Sequence, residues 1–329
     1  MKYLLKQMKS FLLTLSCLLL VPTLGFSALL FDEPFENTSF ASRGWYDGTG
    51  GVIDTAERAP GGSTASLRCT YNQGGAGCAG GNPGRHLFTA TDTLYVSYWV
   101  KYSTNYVGSG QAYHPHELYI LTNANGQFDG LAFTKLTVYI QQVVGSAGGV
   151  PQIEIQDGQM IDQTKINQNL IGVTENRAVS GCNGIGNIGG LTVQGVFGGS
   201  DCYAANGSTH WNSYMWNAPQ AYFTHAQGPF NKSNWHHVEV YLKLNTISAG
   251  IGRNDGIIQY WIDGTLVINR NDVIMRTGAN PNMKFNQFII GPYIGDGSPV
   301  TQSFWIDNLR LETSRPDSAP APPQNLRVE

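Results

Sequence analysis

From Asn234 to Leu311 apolar and polar residues alternate with a period of two, in the runs NWHHVEVYLKLNT, NDGIIQYWIDGTLVI, KFNQFIIGPYIGDG and SFWIDNLRL. Each run is closed by Gly, Asn or Asp, so the pattern predicts half-buried antiparallel strands, consecutive members of one sheet system. Val238, Val240, Leu242 and Leu244 then point one way and Glu239, Tyr241 and Lys243 the other. Asp263-Gly264 predicts a tight hairpin, because both residues tolerate the positive φ of a primed turn. The same alternation recurs upstream in TLYVSYWVKY (Thr93 to Tyr102), in the stretch from Thr134 to Val143, and in PQIEIQ. In the second of these, Leu136, Val138 and Ile140 face inward and Lys135, Thr137, Tyr139 and Gln141 outward. In the third, Ile153 and Ile155 face inward and Gln152, Glu154 and Gln156 outward. An all-β chain is expected.

The Trp-His-His-Val run at Trp235, the strand ending Leu-Asn-Thr, the Asn-Asp-Gly turn, Tyr-Trp-Ile-Asp-Gly and the closing Trp-Ile-Asp-Asn resemble the second half of concanavalin A-like lectin/glucanase jelly rolls. Within that superfamily the chain is most similar to polysaccharide lyase-like secreted bacterial domains. The likeness is clearest over the last third. It implies a two-sheet antiparallel jelly-roll sandwich. It also implies a first strand lying beside the last, which would bring the acids of LLFDEPFE near Asp307. A structural calcium ion held by Glu36 and Asp307 is the cofactor this suggests, since calcium takes hard oxygen ligands. The arginine-rich strand motifs of the best-known jelly-roll alginate lyases and the Glu-x-Asp-x-x-Glu motif of jelly-roll glucanases are both missing.

The ends of the chain differ in character from its middle. Lys2, Lys6 and Lys9 precede the apolar run Phe11 to Val21 and small residues at Gly25, Ser27 and Ala28. This is the make-up of a secretory signal peptide (1–27), with cleavage expected after Ser27 or Ala28 and a destination outside the cytoplasm. A jelly-roll domain over 28–313 follows, then a Pro-rich tail or linker over 314–329. No other stretch reads as a membrane span. Without its signal the chain keeps 17 basic and 23 acidic residues, a formal charge of −6. Nucleic acid is excluded as a partner on that balance, because binding it needs a basic stripe. Four cysteines remain in the exported chain. Their even number favours disulfides, and the sequential pairing of Cys69 with Cys78 and Cys182 with Cys202 is the expected one of three, each pair bracketing a Gly-rich loop.

Candidate chemistry gathers on the outward positions. Glu117, Gln141, Glu154, Glu239, Lys243, Gln259 and Trp261 are read as one glycan-binding groove, aromatic rings packing on sugar and amides bonding hydroxyls. A polysaccharide or glycoconjugate is the expected partner. His116, Lys135, Tyr139 and Tyr241 are the catalytic candidates for polysaccharide β-elimination, in which a His or Tyr takes the C5 proton and a Tyr protonates the leaving oxygen. Zinc is excluded, since His114 and His116 flank a proline with no third ligand in register. The aromatic stretch with Trp211, Tyr214, Trp216, Tyr222 and His225 reads either as a lid on the groove or as a small satellite core. Two functional classes stay open: a lectin-like or adhesion module, placed first, and a polysaccharide lyase, with glycoside hydrolysis behind both.

Overall fold

The computed structural model describes residues 27–316, apart from 112–114, 132–133, 146–147, 157–202, 206–207, 211–212 and 279. Its strands are β1 (Leu29–Glu33), β2 (Trp45–Tyr46), β3 (Val52–Asp54), β4 (Ser66–Tyr71), β5 (Gly84–Thr91), β6 (Thr93–Tyr102), β7 (His116–Thr122), β8 (Thr137–Gly145), β9 (Gly148–Gln156) and β10 (Tyr203–Ala205). They continue as β11 (Ser208–His210), β12 (Ser213–Asn217), β13 (His236–Lys243), β14 (Ile247–Ser248), β15 (Ile251–Gly252), β16 (Gly256–Ile262), β17 (Thr265–Val273), β18 (Phe285–Tyr293) and β19 (Gln302–Glu312). Among the described residues helix is limited to a 3-10 turn at Ala41–Arg43, and no helix is long and apolar enough to cross a membrane.

Two antiparallel sheets form a jelly-roll sandwich. The back sheet runs β17-β16-β13-β6-β19-β4-β3 with β1 also paired to β19; the front sheet runs β12-β9-β8-β7-β18-β5-β2. Strand parity correctly gives the inward residues. Val238, Val240, Leu242 and Ile258 from the back sheet meet Leu118, Ile120, Val138, Ile140, Ile153 and Ile155 from the front in one core, every one of them almost wholly excluded from solvent. Asp263 (φ 46°) and Gly264 (φ 75°) form the two-residue link between β16 and β17. The first strand does lie against the last, with Asp32 opposite Arg310 and Glu33 opposite Leu309.

One expectation needs correcting. The runs from Asn234 onward are not strands of one sheet: β18, the KFNQFIIGPY run, crosses to the front sheet between β7 and β5. Alternation identifies which residues of a strand share a face, and carries no information about which sheet the strand joins.

Cys69 and Cys78 are disulfide-bonded across nine positions, while Cys182 and Cys202 lie outside the described residues. The loop closed by Cys69 and Cys78 docks on the β18–β19 connection through Gly74 N–H to Ser298 O (2.7 Å) and Ile294 N–H to Ala76 O (2.7 Å). A Cys69→Ser/Cys78→Ser double variant is expected to lose about 2–3 kcal/mol in urea denaturation, the loop-closure entropy returned to the unfolded chain. An unchanged midpoint would assign the loop's order to those backbone contacts alone.

Candidate functional site

The outward face of the front sheet carries a continuous polar and aromatic row. Cα pairing places Glu154 (β9) opposite Tyr139 (β8), Tyr139 opposite Tyr119 (β7), Tyr119 opposite Ile289 (β18), Ile289 opposite Arg85 (β5), and Arg85 opposite Tyr46 (β2). Residues directly paired in an antiparallel sheet project to the same side, so this row crosses six strands on one surface. Gly84, at φ +81°, makes its far end possible: a Cβ there would collide with the carbonyls of Tyr46 and Asp47, so only glycine lets β2 approach β5.

His116 joins the row at its centre. Its ring lies 4.7 Å from that of Tyr139 and 6.1 Å from that of Tyr119; the two tyrosine rings meet edge-on at 5.0 Å. Tyr119 OH donates to Gly291 O at 2.9 Å. A chain of amides fixes the histidine. Gln141 Nε2 donates to Glu154 Oε2 at 3.1 Å and to Gln152 Oε1, and Gln152 Nε2 donates to Asn217 Oδ1 at 2.6 Å. With its nitrogen turned toward these acceptors, Gln141 presents Oε1 to His116 Nδ1 at 2.6 Å. An amide oxygen only accepts, so Nδ1 carries the proton and Nε2 the lone pair.

Electrostatics separates the two rings into different roles. Burial lowers the His116 pKa below the ordinary histidine value, with the Gln141 bond opposing it, which keeps the imidazole neutral near pH 7. Burial, reinforced by the Glu154 charge, holds the Tyr139 phenol well above its usual range, so it stays protonated. A neutral imidazole beside a protonated phenol is a base next to an acid.

The other expected groove residues divide. Gln141 and Glu154 belong to this surface. Glu117 does not: it lies inside the sandwich, buried, where Tyr102 OH donates to both its oxygens at 3.1 and 3.2 Å. The reason is a bulge. Leu118 pairs with Ile290 but His116 pairs with Tyr293, so two steps on β7 match three on β18 and the alternation slips. Burial pushes the Glu117 pKa up to about 8, so at neutral pH it is an uncharged acid. Lys135 precedes β8, half-buried, its backbone N–H bonded to Asn125 Oδ1 at 2.6 Å.

Tyr241, Glu239, Lys243, Gln259 and Trp261 occupy the outward face of the back sheet, on the opposite side of the molecule. The single groove is therefore two surfaces, and Tyr241 cannot act with His116. Trp261 is not an open platform either. The Arg315 guanidinium lies 4.4 Å from its ring centroid and pairs with Glu239 at 2.8 and 3.1 Å, while Tyr95 OH donates to Glu239 at 2.7 Å. Gln259 bonds Asn269 Oδ1 at 3.0 Å. Tyr241 and Lys243 are half-buried.

Glu36 and Asp307 do share a neighbourhood. Burial first, and the Glu36 charge as a minor contribution, raise the Asp307 pKa. Yet all four carboxylate oxygens already accept from protein donors. Asp307 accepts from Ala59 N–H (3.0 Å) and Asn308 N–H; Glu36 accepts from Thr64 N–H (3.1 Å) and its hydroxyl. Among the described residues no group of three His, Cys, Asp or Glu could hold a metal ion. The pair ties loops to the last strand.

Of the aromatic stretch before β13, Tyr222 belongs to the core and Trp216 packs against it, while His225 Nδ1 meets Thr104 O at 3.1 Å. Tyr222 and Trp216 thus serve the main core and His225 is exposed; the side chains of Trp211 and Tyr214 lie outside the described residues. Sequence reasoning missed Tyr119, because HELYILT reads as an unbroken apolar run once the bulge hides its parity. It also left Gln152 out of the site although its alternation marked it as outward.

A family model described as Polysaccharide lyase matches residues 97–310, the span from β6 into β19. Among solved structures the chain is similar to alginate lyase Aly36B (16% identity, TM-score 0.47, covering 88% of this chain and 100% of that one). It is also similar to the marine PL-14 alginate lyase from Aplysia kurodai (14%, 0.47, 87% and 100%) and to endo-beta-1,4-glucuronan lyase from the fungus Trichoderma reesei (14%, 0.42, 82% and 88%). No curated protein matches the chain significantly.

Proposed function

Because the chain belongs to the polysaccharide lyase family, we propose that it cleaves a uronate-containing polysaccharide by β-elimination on the outer face of the front sheet. The observation that carries this reading is the contact between a neutral His116 and a protonated Tyr139. In the reaction His116 Nε2 takes the C5 proton, acidic because it lies α to the uronate carboxylate. The C5–H electron pair becomes the C4=C5 double bond, the C4–O4 bond breaks, and Tyr139 OH gives its proton to the leaving oxygen. Atoms and charge balance without water or an oxidant. The amide chain Gln141–Gln152 holds the imidazole in the tautomer this step needs.

Charge placement supports an anionic substrate. Gathered in a single groove, Glu117, Glu154 and Glu239 would repel a polyanion. Glu117 is inward and uncharged at neutral pH, and Glu239 is on the other sheet, paired with Arg315. Only Glu154 remains, bonded to Gln141. Binding without chemistry, placed first from the sequence, gives way to the lyase reading.

The test is to incubate the protein with alginate and with glucuronan in water enriched in heavy oxygen. Shortened chains bearing an unsaturated terminal uronate, with no solvent oxygen incorporated, are the expected products. Incorporated solvent oxygen would make the protein a hydrolase, and retention of the polymers without cleavage would make it a lectin.

A further inference from the structure

The loop between β7 and β8 presents Phe128 to solvent with 67% of its surface exposed, the most of any large apolar side chain described. Single exposed apolar residues are ordinary on a protein surface. What sets this one apart is how its backbone is fastened. Gln127 O accepts from Tyr46 OH (3.1 Å) and from Gln287 Nε2 (3.1 Å), and Asp129 O accepts from Arg85 Nη2 (2.9 Å). The peptide carbonyls on both sides of Phe128 are thus tied down.

The fastening groups are themselves held. Gln287 Nε2 also donates to Tyr46 OH (2.5 Å), and Arg85 donates to Gln287 Oε1 (3.0 Å) and pairs with Asp47 (2.6 Å). Arg85 and Gln287 are buried. The Asp129 carboxylate closes the turn by accepting from Gly126 N–H (2.7 Å), and the Phe128 ring meets Tyr46 edge-on at 5.4 Å. Buried polar groups are spent on fixing a ring whose face is left in water. An aromatic face kept in place and open is the surface a pyranose ring stacks on, its axial C–H groups against the π face.

We propose that Phe128 is a sugar-stacking platform at a remote subsite of the polysaccharide groove. This rests on the lyase reading for its substrate and adds where the chain runs. Tyr139, Tyr119, Ile289, Arg85 and Tyr46 form one row perpendicular to the strands, and neighbouring strands stand about 4.8 Å apart, so Tyr46 is roughly 19 Å from Tyr139. The strand spacing is close to the length of one sugar unit in an extended polysaccharide. Phe128, against Tyr46, therefore meets the substrate about four units from the bond at Tyr139. The ligand class is a polymer long enough to span that distance, cleaved internally.

The experiment compares wild type, Phe128→Ala and Phe128→Trp on alginate and glucuronan, on the polymers and on their di- and trisaccharides, with melting curves alongside. Phe128→Ala should raise KM for the cleaved polymer about three- to ten-fold, the effect of losing one ring contact. Phe128→Trp should keep most of the affinity, and short substrates and melting temperature should not change. An unchanged polymer KM in Phe128→Ala overturns the platform while leaving the lyase reading intact. A lowered melting temperature with equal losses on short and long substrates also overturns it, since the ring would then be holding the loop. If wild type retards the polymers in affinity electrophoresis without cleaving them, the lyase reading fails. The platform then still requires weaker retardation by Phe128→Ala, and no retardation by wild type overturns both.

Discussion

Replacing His116 with asparagine is expected to lower kcat on the cleaved polyuronate by about 10²–10⁴-fold while KM changes little, the signature of losing a proton-transfer group. Asparagine is chosen because its amide nitrogen can stand where Nδ1 stands and donate to Gln141 Oε1, which alanine would leave buried without a donor. The bond His116 makes to Gln141 is 2.6 Å long, so the variant isolates the loss of Nε2. The pH profile gives a second signature. The base must be neutral to act, and burial lowers its pKa. The acid limb of kcat/KM should therefore fall below the ordinary histidine value of about 6.5, with activity lost as pH drops through it. A Tyr139 phenol held above its usual range stays protonated through neutral pH, so it sets no limb there. Full activity in His116→Asn would remove the base from the mechanism.

The second large effect is on stability, and its source is Glu117. Folding places this carboxyl among tyrosines of the core, and burial raises its pKa from 4.5 to about 8. Below pH 4.5 the group is protonated whether folded or not. Between the two values the folded chain holds a proton that the unfolded chain releases, so stability declines as pH rises through this window. Above about 8 the carboxyl ionises in both states and the full penalty applies. A shift of this size corresponds to roughly 4–5 kcal/mol across the window. Other groups act in the same range with the opposite sign: His86, His116 and His237 all have lowered pKa values through burial, and favour the fold as pH rises toward 6.5. Lys232, lowered to about 8 by burial, gains stability only from pH 8 upward. The Glu117 contribution is therefore read as a difference. Glu117→Gln, neutral at every pH, should lack the decline between 4.5 and 8 and be more stable than wild type at pH 8 and above in urea titrations. Parallel pH curves for the two proteins would place an ionised Glu117 in the core.

Much of the fold is legible in the alternation, and the reason is physical. A strand with one buried face must place its apolar residues two apart, so Val238, Val240 and Leu242, and Val138 with Ile140, all fall where parity puts them. Parity fails at Glu117, where a bulge adds a residue on β18, a feature of pairing that the β7 sequence alone does not carry. It fails more broadly on the question of which sheet owns a strand. The outward residues of β8 (Tyr139 and Gln141) and of β13 (Glu239 and Tyr241) look alike along the chain, each a tyrosine two positions from a polar side chain, yet point away from the molecule on opposite sides. Trp261 adds a third kind of miss. Its cover comes from Arg315, beyond the end of the last strand, through a cation–π contact that no local pattern announces. Phe128 lies in a loop and has no periodicity to be read. What could be seen early was the set of residue types; what required the fold was their division into a front face with a base and an acid and a back face with a closed ion pair.

That division is tested most directly by assaying Tyr139→Phe and Tyr241→Phe side by side on the same polyuronate. Each variant removes one hydroxyl and little else, so both should fold. The account predicts that Tyr139→Phe loses turnover by about 10²–10⁴-fold, as expected for a missing general acid, while Tyr241→Phe, on the back sheet, cleaves at the wild-type rate. Loss of turnover in Tyr241→Phe with Tyr139→Phe still active would put the chemistry on the opposite face and contradict it.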